Sequence, residues 1–189
     1  DYAVVSPSLR DAVDERREEI HEILRRSGRI RARRLRNGLV CASNKYRRFS
    51  LLPLAVIKQL GISVPADARI RMFKGGAHVS IPDRIRVTDE LLWLIGFFLA
   101  EGCAYCKGKN CFLSFASDER YLEKAAQILT RHFYVHVVRS GARSGKSPAI
   151  FVHSKLLHLI FDEIFRVLGP SIPSWLLQLP LSRLKWFLE

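Results

Sequence analysis

The residue with the clearest capacity for chemistry is Glu101, the carboxylate near the end of the apolar segment 91–102 (LLWLIGFFLAEG). This segment is expected to form a helix that starts after Thr88, a good N-cap followed by acids at the positive end of the helix dipole. Because the helix is apolar nearly all round, it should be buried on several sides. Burial and the helix dipole would both disfavour the charge of Glu101, and a hard divalent cation with oxygen ligands would remove that conflict.

Two small residues in this helix, Gly96 and Ala100, lie four positions apart and would let another helix approach closely. A glycine within a helix costs about 1 kcal/mol relative to alanine, so Gly96 indicates a packing role. The competing interpretation is an ordinary core helix whose last residue, Glu101, reaches solvent.

Positive charge is concentrated in the first half of the chain. Residues 1–87 hold 19 basic and 9 acidic residues, a net charge of +10, whereas residues 88–189 hold 12 and 9, a net charge of +3. Residues 25–48, here called the basic stretch, contain ten basic residues and no acid. Such uncompensated charge favours a phosphate-facing surface over a solvated face. Candidate DNA contacts within it are Arg31, Arg33 and Arg34.

The whole chain has more basic than acidic residues, and its sequence pI is about 10.1. This excess of positive charge points to a polyanionic partner, with nucleic acid favoured over an anionic membrane surface. The longest apolar run, residues 91–100, is about half of what a bilayer requires, so no membrane partner is expected. No secretory signal is visible and Asp1 is not a translation start. The chain is therefore expected to be cut from a longer cytoplasmic protein.

Turn and periodicity signals predict an α+β chain with two regions. Residues 1–87 are expected to be a basic, mainly helical region, with one helix over 11–26, a turn at 37–38 and short β-like runs at 68–73 and 77–81. Residues 88–189 show the order α-β-β-α-β-β-α, with an antiparallel four-stranded sheet, a third helix reaching residue 168 and the start of another helix at residue 184.

Three cysteines lie close together, Cys103, Cys106 and Cys111. Their spacing could provide zinc ligands, with His132 or His136 as a fourth. Structural zinc sites usually take their four ligands as two pairs, each pair close together in the sequence. Reduced thiols on a small hairpin are therefore the favoured interpretation.

The segment 94–102 (LIGFFLAEG) resembles the LAGLIDADG motif of homing endonucleases position by position: Gly96 in the third place, Ala100 in the seventh, Glu101 in the eighth and Gly102 in the ninth. The resemblance covers residues 88–189, about half of the chain, and includes that family's half-domain order. The last residues, 179–189 (LPLSRLKWFLE), resemble the lead-in to a second motif copy as found in archaeal intein endonucleases. The acid of that second motif would lie beyond residue 189.

The resemblance implies a site-specific, metal-dependent endonuclease for double-stranded DNA. In that family two motif helices pack side by side, and the acid at the foot of each holds Mg²⁺ or Mn²⁺ at a scissile phosphate. Glu101 matches one such acid, and Lys155 is a weak candidate for the family's lysine near the active site. The family's sheet faces the DNA major groove, which suggests further DNA contacts at Lys107, Lys109, Arg139, Arg143 and Lys146.

The resemblance also implies a second half as partner, either from the same parent chain or from another copy. The second motif helix is expected to be too short to cover the surface of Gly96 and Ala100, so the fragment alone should cut DNA little or not at all. A prokaryotic, archaeal cytoplasmic source and an intein parent are implied, although no splicing nucleophile or terminal His-Asn pair is present. The alternative is a degenerate member of the fold that binds DNA, or RNA in the manner of a maturase, without cutting it.

Overall fold

The computed structural model describes residues 2–27, 35–72, 80–108, 110–141, 147–169 and 171–188, and only the backbone at residues 35–37. Within these ranges the protein is α+β, with two four-stranded antiparallel sheets and nine helices. It divides into two compact units, Asp1–Asp83 and Arg84–Glu189, each with its own sheet. The division falls a few residues before the boundary expected at residue 88. None of the helices in the described part is long and apolar enough to cross a membrane.

The first unit mixes helices and short strands. Its elements are β1 (Tyr2–Val5), α1 (Leu9–Glu15), α2 (Arg17–Arg26), α3 (Leu35–Arg48), β2 (Leu51–Pro53), α4 (Leu54–Leu60), β3 (Arg69–Met72) and β4 (Ser80–Pro82). The strands form one antiparallel sheet in the order β2-β1-β3-β4. The apolar side chains of the helices and the sheet share one core, which includes Val4, Leu9, Ile20, Leu24 and Leu52.

The first unit contains more helix than strand, and its sheet adds β1 and β2 to the short β-like runs expected at residues 68–73 and 77–81, which overlap β3 and β4. Strand β1 was not predicted, because four residues at the start of the chain show no alternation, yet Ala3 and Val4 are buried between two partner strands. The single helix expected over residues 11–26 is interrupted at Arg16, which separates α1 from α2. The turn expected at residues 37–38 lies instead within α3.

The second unit has the predicted order of elements. They are α5 (Asp89–Glu101), β5 (Gly102–Lys107), β6 (Asn110–Ala116), α6 (Glu119–Phe133), β7 (Val138–Ser140), β8 (Ala149–His153) and α7 (Lys155–Leu159), followed by α8 (Ser174–Leu177) and α9 (Leu181–Leu188). The sheet is antiparallel throughout, in the order β5-β6-β8-β7.

Two element ends in this unit differ from the prediction, and one strand is short. Strand β7, one of the four predicted in this unit, is short and begins at Val138, after Tyr134 takes the left-handed conformation (φ 54°) that ends α6. After α7 the backbone is π-helical over Ile160–Ile164, so this helical segment stops short of residue 168. The final helix begins at residue 181, three residues before the predicted start.

The sheet of the second unit has one buried face and one open face. Alternation along the strands turns Leu113, Phe115, Ile150 and Val152 toward the helices, and each of them is at most 1% exposed. Rings of α5 contact this face, since Phe97 and Phe98 both lie against Phe115. The side chains at the alternate positions define the open face: Cys103, Tyr105, Lys107, Asn110, Phe112, Ser114, Val138, Ser140, Phe151 and His153.

The cysteines differ from the sequence-based expectation of three reduced thiols. Cys106 and Cys111 face each other across the β5–β6 hairpin and form a disulfide, with Cα atoms 4.0 Å apart. Cys103 is a free, exposed thiol. The disulfide removes two of the three sulfur ligands that the zinc hypothesis requires, because metal binding needs thiolates. No group of three metal-ligating side chains is found among the described residues.

Candidate functional site

Helix α5 forms where its sequence predicts. The Thr88 hydroxyl accepts a hydrogen bond from the backbone N–H of Leu91 (3.2 Å), which satisfies one of the free donors of the first turn. Burial extends around much of the helix, and Leu92, Leu94 and Ile95 have no exposed surface. This agrees with the expectation of a helix buried on several sides. The C-terminal end is different, because Ala100 and Glu101 are exposed.

The close helix approach expected at Gly96 is provided by α9. A Cβ atom built on Gly96 would overlap the backbone carbonyl of Phe187. That obstruction is backbone, which cannot rotate away as a flexible side chain could. The absence of a side chain at Gly96 therefore allows α9 to lie directly against α5, and it offsets the helix-propensity cost of glycine.

A second contact holds α9 at the start of α5. The Arg183 guanidinium lies 2.8 Å from the Asp89 carboxylate and also donates a hydrogen bond to the carbonyl of Val87 (2.6 Å). From this contact to the Gly96–Phe187 contact, the residue number rises in both helices, from Asp89 to Gly96 in α5 and from Arg183 to Phe187 in α9. The two helices therefore run roughly parallel, with α9 covering the first two turns of α5. Ala100 remains uncovered, as expected for a short second helix, but the expectation that this helix would also leave Gly96 uncovered is wrong.

An open groove of about 640 Å³ runs beside this helix pair toward the end of α5. Its lining includes Phe97, Glu101, Tyr121 and Phe187. The expectation that Glu101 is buried is wrong, because the side chain is exposed. A carboxylate at the rim of an apolar groove can meet a solvated ligand without first losing its own hydration.

Gly102 fixes the direction in which the chain leaves α5. A Cβ atom at this position would overlap the ring and the carbonyl of Phe98. The backbone is extended at Gly102 and continues directly into β5. Any other residue would push the start of β5 away from α5, so Gly102 keeps Glu101 at the junction of the helix and the sheet.

The other proposed catalytic residue, Lys155, starts α7 after the buried cap Ser154, whose hydroxyl accepts from the N–H of Leu157 (3.1 Å). Lys155 is partly buried and is not among the residues that line the groove beside Glu101. Its catalytic role stays a prediction.

The residues proposed to contact DNA lie in different parts of the structure. Lys107 is exposed at the end of β5, on the open face. Arg139 lies opposite the buried Ile150, so it is on the helical side of the sheet, where it pairs with Glu123 of α6. The remaining candidates lie outside the described residues: Lys109, Arg143, Lys146, Arg31, Arg33 and Arg34.

Some positive charges of the basic stretch are paired with acids that lie outside it in the sequence. Glu22 lies one turn before it and pairs with both Arg25 and Arg26, the latter at 2.8 Å. The hydrogen bond from Arg26 is the largest cause that lowers the pKa of Glu22. Arg47, near the other end, pairs with Asp14 of α1 at 2.9 Å. Among the described residues, at least three charges of the basic stretch are therefore shared with acids elsewhere in the same unit.

The structure also shows residues that the sequence interpretation missed. Phe187 and Arg183 hold the two helices together, and their signal was the apolar and basic spacing of the last helix. The rings of Tyr105, Phe112 and Phe151 gather on the open face. Their signal was the presence of aromatic residues in the segments of β5, β6 and β8, which had been used only to predict strands.

The donor set at Glu101 is small. Mg²⁺ is commonly bound by one or two carboxylates together with water and phosphate oxygens. Glu101 supplies one oxygen ligand of this kind, and no group of three His, Cys, Asp or Glu side chains occurs in the part of the chain that the structure describes. These residues do not form a complete metal site by themselves, although the exposed carboxylate fits one position in a site shared with phosphate and a second acid.

Comparison with known proteins adds no identification. No protein-family model matches the chain, and no curated protein matches its sequence. The functional argument therefore depends on the geometry of the second unit and on the motif resemblance.

Substitution of Gly96 by valine should weaken the contact between α5 and α9. The added side chain would overlap the Phe187 carbonyl, and overpacking of this kind typically costs about 1–3 kcal/mol. Urea denaturation followed by circular dichroism and by Trp186 fluorescence would measure the loss. Ala100→Val is the matched control, because position 100 is exposed on the same helix and the change should cost less than about 1 kcal/mol. Equal losses in the two variants would show that no special approach exists at Gly96.

Substitution of Arg139 by alanine should raise the pKa of Glu123 toward its ordinary value. The hydrogen bond from Arg139, assisted by one from Gln127, holds that pKa low. The stability contributed by Glu123 is thus present above its unfolded-state pKa and is lost as pH falls through the lower folded-state pKa. A carbon-detected NMR titration would measure the shift, with Lys107→Ala as the control. An unchanged Glu123 pKa in the Arg139 variant would mean that the ion pair does not form in solution.

Proposed function

We propose that the second unit is the first half of a LAGLIDADG-type homing endonuclease domain, an enzyme that hydrolyses phosphodiester bonds in double-stranded DNA with the help of Mg²⁺ or Mn²⁺. The observation that carries this proposal is the backbone contact between Gly96 and Phe187. It brings the start of a second helix alongside the motif helix, at a position that the motif reserves for glycine.

The position of Glu101 supports the same function. The carboxylate lies at the foot of α5, exposed, at the start of the sheet whose open face is available to a ligand. A DNA backbone crossing this junction would bring a phosphate within reach of Glu101. The phosphate-bound metal would supply charge neutralisation and an activated water, and this chain would contribute one of its carboxylate ligands.

The groove beside the helix pair also supports the proposal that the second unit is one half of a larger endonuclease domain. Ala100 is uncovered, and the end of α9 leaves Leu188 77% exposed. A second motif helix continuing in the direction of α9 would cover this apolar surface and bring its own acid toward Glu101. The second half, from the same parent chain or from another copy, is therefore the proposed partner, and an archaeal intein is the proposed source.

A second candidate is a member of the same fold that binds nucleic acid without cutting it. Two observations on the described residues favour it: Glu101 is the one acid among the residues that line the groove, and the described part of the open face carries a group of rings with Lys107 as its basic side chain. The presence of an acid in the eighth motif position favours the endonuclease, because a pure binder has no need of it.

The 189-residue chain should show little or no cleavage, and extension through a complete second half should produce magnesium-dependent cutting. In the extended protein, Glu101→Gln should abolish cutting while DNA binding is largely kept, because the change removes a negative ligand and preserves the side-chain shape. A plasmid-nicking assay on DNA carrying the insertion site of the parent element would measure both effects.

The matched control is Glu90→Gln, which changes an acid at the other end of the same helix. Glu90 pairs with Arg131 (2.6 Å) and His132, so its loss should affect stability slightly and cutting not at all. Full activity of the extended Glu101→Gln protein would remove Glu101 from the mechanism and leave α5 as an ordinary core helix.

A further inference from the structure

The β5–β6 hairpin carries a disulfide whose two sulfur atoms differ in their access to solvent. Cys106 and Cys111 face each other one position before Lys107 and Asn110, the last pair of the ladder. Cys106 lies on the edge strand β5 and is exposed, whereas Cys111 lies on the inner strand β6 and is 3% exposed. A thiolate that arrives from solvent can therefore reach the sulfur of Cys106 but not that of Cys111.

The disulfide adds little to the stability that the hairpin has without it. Strands β5 and β6 pair at six positions, from Gly102–Phe115 to Lys107–Asn110, so their register does not depend on the bond. The two cysteines are separated by 5 residues in the sequence, and closing so short a loop removes little entropy from the unfolded chain. A unit of about a hundred residues with its own core does not need a disulfide in order to fold.

The two cysteines stay together when the bond between them is broken. Their Cα atoms are 4.0 Å apart, and strand pairing maintains this separation because both residues belong to the ladder. Reduction therefore leaves two thiols that face each other across the hairpin. Since the pair can be reduced without unfolding and reoxidised without refolding, it is suited to reversible exchange with other thiols.

The remaining cysteines show which thiol can take part in such an exchange. Cys41 and Cys103 are both free and exposed, as thiols are in reducing surroundings, where disulfides are usually transient, catalytic or redox-sensing. Cys103 lies on the open face, whereas Cys106 is three residues, or roughly 10 Å, further along β5 and on the opposite face. Cys103 is therefore badly placed to attack the disulfide, and the attacking thiol must come from another molecule.

We propose that Cys106 is a site of reversible thiol–disulfide exchange with small thiols of the glutathione class. The thiolate of the small molecule attacks Sγ of Cys106 and forms a new S–S bond with it. The bond to Cys111 breaks, its electron pair leaves on Sγ of Cys111, and this sulfur takes up a proton from water. The product is a mixed disulfide at Cys106 beside a buried thiol.

Two reactions of the mixed disulfide complete the cycle. A second small thiolate attacks the small molecule's own sulfur, which releases the oxidised small molecule and leaves Cys106 as a thiolate. The cysteine pair has then gained two electrons and the small thiols have lost them. In the opposite direction, Cys111 loses its proton and attacks Sγ of Cys106, which restores the disulfide and expels the small thiolate.

This exchange is independent of the proposed function, because it uses neither Glu101 nor the open face of the sheet. Its expected structural effect is confined to the end of the hairpin. The oxidised pair ties β5 to β6 next to the turn, so the amide of Lys107 should exchange its hydrogen faster in the reduced chain than in the oxidised chain.

The first test places the 189-residue chain in buffers that contain reduced and oxidised glutathione in varied ratios. Free thiols are trapped with N-ethylmaleimide and located by mass spectrometry. Cys41→Ser and Cys103→Ser together remove the other two thiols. Excess reduced glutathione should reduce the pair while the circular dichroism spectrum stays native, and the glutathione adduct should be found on Cys106.

The second test compares the two sulfur atoms one at a time in the same background. Cys111→Ser leaves Cys106 as the single thiol, and Cys106→Ser leaves Cys111. Oxidised glutathione should modify Cys106 about tenfold faster than Cys111 in the folded chain, because access limits the reaction at the buried sulfur. In urea the two rates should be similar, which controls for any difference in intrinsic reactivity.

Three results would overturn the proposal. The first is a disulfide that stays intact in excess reduced glutathione until the chain unfolds, since the bond would then be structural. The second is a glutathione adduct on Cys111, or equal rates for the two single thiols in folded chains. The third is a pair that stays reduced in excess oxidised glutathione. The unsubstituted chain can give the first and third results, so the test does not depend on a variant that folds.

Discussion

The contact on which the second unit depends is the approach of α9 to α5 at Gly96. Because this residue has no side chain, the carbonyl of Phe187 can lie against the helix backbone, while Arg183 secures the other end of α9 at Asp89. The aligned helices bury the first turns of α5 and leave its last turn at the edge of a groove. Gly102 then turns the chain directly into the sheet, so Glu101 stands where the helix pair, the groove and the sheet meet.

The positive charge counted from the sequence does not directly show which surface is available to bind phosphate. The basic stretch has no acid within it, yet Glu22 and Asp14 pair with three of its arginines. Arg139 belongs to a strand of the proposed DNA-binding sheet, but the register turns it toward the helices and Glu123. Such exposed pairs contribute little stability, although they reduce the charge available to phosphate. The described part of the open face instead combines Lys107 with a group of aromatic rings.

The second unit was more predictable than the first because its signals extend over longer segments. A capped apolar helix, a helix with regular spacing and strand-like segments separated by turns indicated the order α-β-β-α-β-β-α. Strand β1 could not be predicted from four residues, since its burial comes from strands 50 to 70 residues later in the chain. The exposure of Glu101 was expected only under the competing core-helix interpretation, for a similar reason: an apolar sequence predicts burial of a helix, whereas the exposure of its end depends on what the next element covers. The glycine spacing, by contrast, correctly predicted a close helix partner at Gly96.

The central claim is that the helix pair positions Glu101 as a metal ligand at a DNA phosphate. Paramagnetic line broadening by Mn²⁺ tests this most directly, using the isotopically labelled chain bound to duplex DNA. Broadening is predicted to centre on the amides of Glu101 and Gly102 and to disappear in the Glu101→Gln variant. Broadening that persists in the variant, or that centres on the acids of the first unit such as Glu18 and Glu19, would contradict the account.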